Sequence, residues 1–223
     1  MARVALNGVI GAGGFGREVM PLARAQLTPM IAQGVAELVF VVEGVPPNEV
    51  VNGFKVLSLD EFLAYSGSRY FNIAIASSEV RSRLALICES AGARPFSIVS
   101  STAVIMNEVE IGDGAIICAF VTLLSNVKIG RFFHANIYSY VAHDCVIGDF
   151  VTFAPRVACN GRSCIEDHVY VGTGAIMRDG TPTALFRVGT KAVIGMGAVV
   201  TRNVSAGDTV FGNPARPPHK KPD

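Results

Sequence analysis

Small or apolar residues recur at every sixth position from Ile105 to Met177: Ile105, Ile111, Ile117, Leu123, Ile129, Ala135, Val141, Ile147, Phe153, Cys159, Ile165, Val171 and Met177. A companion series lies four residues further on, among them Val109, Ala115, Val121, Val127, Phe133, Ser139, Cys145, Val151 and Val157. A period of six fits neither a helix nor a simple strand. It is the period of a parallel β-helix, where three hexads close one triangular coil and residues eighteen apart stack. Polar residues such as Asn107, Asp113, Arg131, Asp149 and Asp167 then fall at corners. The register breaks once. After Met177 it resumes at Val188, Ile194, Val200 and Ala206, so about five residues near Asp179–Arg187 loop out of the coil.

The first hundred residues follow other periods. Val4–Ile10 reads as a strand, followed by Gly11-Ala12-Gly13-Gly14-Phe15-Gly16 and a helix from about Arg17 to Leu27. Glu37–Glu43 and Tyr70–Ala76 are further strands, and Pro95–Val99 is a last one. Ser58 is placed to cap a helix Leu59–Tyr65, and Ser77 or Ser78 to cap a helix from about Glu79 to Ala91. Alternating strands and helices predict a parallel sheet covered by helices, a shortened Rossmann-like α/β domain. The expected division is residues 1–100 for this domain and 101–223 for the β-helix with its tail.

Composition narrows the function. Half the residues are apolar and 17% are charged, enough for a large core. A net charge of +1 gives no general attraction to nucleic acid or to an anionic membrane. No apolar run is long enough to span a bilayer. The N-terminus reads as a strand rather than a signal peptide. Five cysteines without metal-type spacing, two of them (Cys145 and Cys159) on the inward register, fit a reducing, cytoplasmic setting.

The chemistry concentrates at His143-Asp144. His143 is third in its hexad, so its ring projects outward at a corner, with Gly161 eighteen residues on. A glycine there admits close approach and leaves an N–H for an oxyanion. A histidine base beside such a donor suits acyl transfer. Asp144 can orient the imidazole, as a carboxylate does in a triad. A solvated turn histidine beside an incidental glycine is the plain alternative. The glycine loop between strand and helix suits a phosphate, and Glu43 ends the second strand where an acidic residue often meets a ribose. His134 and His168 are expected to point outward and His219 lies in the tail, but their spacing makes no zinc site.

Together, the glycine-bearing α/β domain, the hexapeptide coils, His143-Asp144 followed by Cys145-Val146-Ile147-Gly148-Asp149-Phe150, and the closing Gly212-Asn213-Pro214-Ala215-Arg216 resemble one family. It is the bacterial sugar acyltransferases of the left-handed β-helix superfamily, the PglD/NeuD-type group of nucleotide-aminosugar N-acetyltransferases and sialic acid O-acetyltransferases. The resemblance implies a homotrimer with a left-handed coil, acetyl-CoA as cosubstrate, no metal, and a nucleotide sugar on the N-terminal domain. It implies His143 as general base, Asp144 as its partner and Gly161 as oxyanion donor. It places Thr152, Gly161, Thr173 and Met196 along the CoA, and Gly13, Gly14, Phe15, Glu43, Ala76 and Asn136 around the sugar nucleotide. Some relatives carry a second histidine where this chain has Thr152, and His134 one coil below can stand in. The expected reaction is acetylation of the amine of a nucleotide-linked deoxyaminosugar for surface glycans. O-acetylation of sialic acid or another sugar, a γ-carbonic-anhydrase-like metalloenzyme and a non-catalytic sugar-nucleotide-binding trimer stay open as alternatives.

Overall fold

The computed structural model describes residues 3–46 and 49–218. It divides into two compact units. One runs to Ser101 and takes in Asp113–Ile116; the other comprises Thr102–Gly112 and the residues from Ile117 on.

The first unit is a six-stranded sheet with helices. In chain order it contains β1 (Ala5–Ile10), α1 (Gly14–Ala32), β2 (Ala36–Val42), β3 (Val50–Val51), β4 (Phe54–Ser58), α2 (Leu59–Ala64), β5 (Arg69–Ile73), α3 (Ser78–Ser90) and β6 (Arg94–Pro95). The sheet order is β3-β4-β2-β1-β5-β6. Every pairing is parallel except the β3–β4 hairpin. β1 and β2 are buried almost throughout, as central parallel strands covered on both faces must be. Ser58 and Glu61 close a capping box on α2, and Ser77 caps α3.

Three expectations change here. The expected strand Pro95–Val99 is two short strands, β6 and Ile98–Val99. The first helix begins within the glycine loop at Gly14 and runs through Pro29 to Ala32, longer at both ends than the expected Arg17–Leu27. The β3–β4 hairpin was not foreseen, although Asn52 and Gly53 both take positive φ (49° and 81°), the pair of conformations a two-residue hairpin turn requires.

The second unit is a triangular parallel β-helix. One face stacks Ile117, His134–Ala135, Thr152–Phe153, Tyr170–Val171, Val193–Ile194 and Thr209–Val210. The next stacks Val104–Ile105, Thr122–Leu123, Tyr140–Val141, Ala158–Cys159, Ile176–Met177 and Val199–Val200. The third stacks Val109–Ile111, Val127–Ile129, Val146–Ile147, Ser163–Ile165 and Phe186–Val188. Leu123 pairs with Val141 and Val141 with Cys159, the eighteen-residue register of the hexads. Ser163 pairs with Phe186 instead, so the extra residues leave the coil between these strands. Ala206 departs from its expected inward place and is exposed, while Val204 bridges Val188 and Val210 pairs with Ile194 inside the core. The last coil is therefore shorter than the hexad pattern implies.

Many of the corners turn through a residue of positive φ. Glu108, Asn126, Asp144 and Arg162 form one such column; Phe132, Phe150, His168 and Lys191 form another; Phe120, Tyr138 and Arg156 form a third. Stacking neighbours support these left-handed conformations, which L-residues otherwise avoid. Phe132 stacks on Phe150 with centroids 5.2 Å apart, and Phe150 on His168 at 5.2 Å. No helix among the described residues is long and apolar enough to cross a membrane.

Candidate active site

His143 follows the Tyr140–Val141 strand at a prism corner, and Asp144 occupies the left-handed position beside it, φ 58°. That backbone turns the carboxylate back onto the ring: Nδ1 of His143 lies 2.8 Å from Oδ2 of Asp144. Asn126, one coil below Asp144, donates to Oδ1 at 3.3 Å. Arg162, one coil above, holds a guanidinium nitrogen 3.7 Å from Oδ2. The His143 hydrogen bond above all, with Asn126 and the nearby Arg162 guanidinium, holds the Asp144 carboxyl below the usual carboxylate range. An ionised carboxylate can only accept. The proton between them therefore sits on Nδ1, and Nε2 of the neutral ring keeps its lone pair for a substrate. His143 and Asp144 side chains are 46% and 41% exposed, so reactants can reach them.

Nε2 faces Gly161. A Cβ at position 161 would stand 2.6 Å from that nitrogen, closer than real contacts allow, so only glycine lets the ring lie there. The adjoining amide differs from expectation. The Gly161 N–H is not open for an oxyanion; it donates to Oδ1 of Asp179 at 2.9 Å. A carboxylate eighteen residues on reaches back to an amide elsewhere too, from Asp149 to Arg131 N (2.7 Å) and from Asp167 to Asp149 N (2.8 Å).

The remaining expected residues are scattered. Thr173 and Met196 are exposed on a different corner from His143, one following the Tyr170–Val171 strand and the other the Val193–Ile194 strand. Asn136 is half-buried and donates its amide to the Phe153 carbonyl at 2.8 Å. Thr152 is buried beside His134 on neighbouring rungs. His134 ends its hexad with an outward register, yet it is fully buried; an outward register does not by itself place a side chain in solvent. His168 is half-buried in its aromatic stack. His219 lies outside the described residues.

In the first unit the glycines divide their work. Gly11 takes φ +106°, and a Cβ at Gly16 would strike the Gly11 carbonyl oxygen, so these two shape the turn. Gly13 and Gly14 face open space at the start of α1, and no cap residue's side chain bonds to that end. Phe15 lies in the first turn. Glu43, just past β2, is held by Arg83 of α3 in a two-pronged ion pair, both contacts 2.8 Å. That partner lowers the Glu43 carboxyl below its ordinary range. Ala76 accepts, with Ile75, from the buried guanidinium of Arg81 at 2.9 Å. Burial brings Arg81 down to about 9, so it is a cation at neutral pH and braces that loop.

The sequence reading missed Asn126, Arg162 and Asp179, yet the coil register contains them: the first two flank Asp144 by eighteen residues and the third follows Gly161 by eighteen. Arg81 and Arg83 carry no such signal. Among the described residues no group of three or more His, Cys, Asp or Glu side chains is gathered as for a metal ion.

Comparison with known proteins gives a consistent result. No protein-family model matches the chain. It is 49% identical over 218 residues to a GDP-perosamine N-acetyltransferase of Escherichia coli O157:H7, covering 97% of this chain and 98% of that one. Its fold matches that of WeeI from Acinetobacter baumannii AYE with a TM-score of 0.91 at 50% identity, covering 96% of this chain and all of the other. The acetyltransferase domain of PglB from Neisseria gonorrhoeae FA1090, solved with acetyl coenzyme A, matches at 0.78 and 26% identity, covering 97% of this chain and all of that one.

Proposed function

This chain belongs to the hexapeptide-repeat sugar acyltransferases, and we propose that it moves the acetyl group of acetyl-CoA onto the amine of a GDP-linked aminosugar such as GDP-perosamine. The observation that carries the reading is the imidazole of His143, set by Asp144 on one nitrogen and presenting the other over the bare face of Gly161. The substrate nitrogen attacks the thioester carbon, the new C–N bond forms and the C–S bond breaks. Nε2 takes the proton that the nitrogen sheds, and the departing CoA sulfur is protonated in turn. Asp144 keeps the ring in the correct tautomer and steadies the imidazolium. No covalent acyl-enzyme is invoked, since Cys145 and Cys159 are buried.

The glycine loop is read as the diphosphate cradle of a Rossmann-like unit, supported by the open space beside Gly13 and Gly14 and by a helix start that no side chain caps. Glu43 and Ala76 are read as its neighbours toward the nucleoside, and Asn136 as a contact of the acceptor sugar. Thr152, Thr173 and Met196 are assigned to the CoA. Thr173 and Met196 stand on a different corner from His143, which is one argument for a trimer in which a neighbouring prism brings its groove to this histidine; the exposed Phe120, Tyr138 and Ile137 are a second. A cytoplasmic setting for surface-glycan synthesis accords with five free cysteines.

The test is release of CoA thiol from acetyl-CoA in the presence of GDP-, UDP- and dTDP-linked aminosugars, the free aminosugar and sialic acid. We expect turnover with the GDP-linked amine and little with sialic acid. Thiol release only with a hydroxyl acceptor, or with no acceptor at all, overturns the proposal.

A further inference from the structure

We propose that Asp179, the first residue of the segment that leaves the coil, is a positioning residue for acyl transfer, holding the Gly161 turn against which the His143 ring is seated. The inference rests on the reading of His143 as the base. Residues 143, 161 and 179 are successive rungs of one corner column. The middle rung has no side chain, and the space is approached from both sides. The His143 ring comes from below, with Nε2 2.6 Å from where a Cβ would stand. The Asp179 carboxylate comes from above and takes the Gly161 N–H at 2.9 Å.

The segment is tied down at the same place. Gly180 N donates to the Gly161 carbonyl at 2.9 Å, and Phe186 N donates to the Arg162 carbonyl at 3.0 Å. Between these anchors Thr181 and Ala184 bond to each other, so the segment closes on itself. Both the departure and the return of the insertion are thus fastened to the turn that faces the imidazole. Arg178 Nη1 donates to the Asp179 carbonyl at 2.6 Å and its guanidinium lies over Phe186, 5.3 Å from the ring centroid, which steadies the point of departure.

Two properties follow. The Gly161 turn is held from above by the Asp179 carboxylate while the His143 ring is seated against it from below, so loosening the one displaces the other. The lock also needs only an acceptor oxygen, so asparagine can supply it. The same lock joins Asp149 to Arg131 N, on the corner of Phe132, Phe150 and His168 and away from His143, and it provides the comparison.

The experiment measures thiol release and thermal unfolding on full-length Asp179→Ala, Asp179→Asn and Asp149→Ala. Displacing a base by about an ångström costs on the order of 10²-fold in rate. Asp179→Ala is expected to lower kcat by about 10- to 100-fold with the KM for acetyl-CoA little changed. Asp179→Asn is expected to restore kcat to within about threefold of wild type. Asp149→Ala is expected to lose a similar amount of thermal stability and keep its kcat. Normal kcat in Asp179→Ala overturns the proposal, as does higher kcat, which would mark the freed amide as an oxyanion donor. Loss of kcat in Asp179→Asn equal to that in alanine overturns it too, since the charge and not the lock would then matter. An equal fall in kcat for Asp149→Ala also overturns it, by making the effect one of general stability. Failure of the underlying reading is separate: it shows as absence of thiol release in the wild type.

Discussion

Gly161→Ala separates activity from stability in a way the geometry specifies. The added methyl would stand 2.6 Å from Nε2, 2.7 Å from Cε1 and 3.2 Å from Cδ2 of His143, whereas ordinary contact begins near 3.4 Å. The ring must withdraw by roughly an ångström, or swing outward, to relieve the overlap. Nothing but the ring opposes the methyl at these distances, and the ring is partly in solvent, so moving it costs only about 1 kcal/mol of rotamer energy. Gly161 is not among the residues of positive φ, so alanine fits its backbone. The expected result is a thermal midpoint within a few degrees of wild type and a kcat lower by about 10²-fold or more, approaching the loss on removing a general base. The KM for acetyl-CoA should stay near its original value. Thiol release at saturating acetyl-CoA, alongside a melting curve on the same preparation, reads both quantities. Turnover within about threefold of wild type would falsify the seating of the base over this glycine, and a collapse of the melting transition would show that the methyl meets something stiffer than a ring.

Other perturbations address the remaining elements. Gly16→Ala drives a methyl into the Gly11 carbonyl oxygen, which is backbone and cannot step aside; a loss of at least about 3 kcal/mol in denaturant unfolding is expected, and an unchanged midpoint would contradict the close packing of α1 on the loop. Arg83→Ala frees Glu43, but both side chains are about half exposed (50% and 45%), so the unfolding midpoint should hardly move while the KM for the nucleotide sugar rises; an unchanged KM removes Glu43 from the nucleotide pocket. The Asp144 carboxyl is depressed in the folded state, so its stabilising contribution is present above the unfolded carboxyl value near 4 and is lost as pH falls through the lower folded value; Asp144→Asn should flatten that acid limb, and parallel stability curves would argue against the pairing. In the native protein a thiol reagent should reach Cys164 alone, slowly because burial raises that thiol, and all five cysteines after denaturation; rapid native reaction of two or more would contradict the buried placement of the rest.

What could be read from the chain and what could not divide along physical lines. A hexad repeat states its register in every coil, because each inward residue must be small or apolar to fit a narrow prism. The faces, the corners and the length of the insertion between Ser163 and Phe186 are therefore legible by counting. The same counting brings His143 to Gly161. It fails where the repetition stops. Ala206 was placed inward, yet the final coil is cut short and Val204 and Val210 fill the core in its stead. Burial of outward-facing residues is a further blind spot: the hexad gives the direction of His134 but not what lies over it.

Partnership is the deeper limit. Whether the Gly161 amide is open depends on whether a side chain eighteen residues away folds back onto it. An aspartate at a corner can reach into water or onto the rung below, and the hexad pattern does not distinguish the two. Three carboxylates in this coil take the second course, at Asp149, Asp167 and Asp179. The rule they share can be applied in reverse. Where the residue eighteen places on is glycine, as it is above His143, no side chain can reach down to close the position, and the ring below has room to stand over it. The lock and the opening are thus alternatives at one type of corner, and the insertion begins at the rung where the chain passes from one to the other.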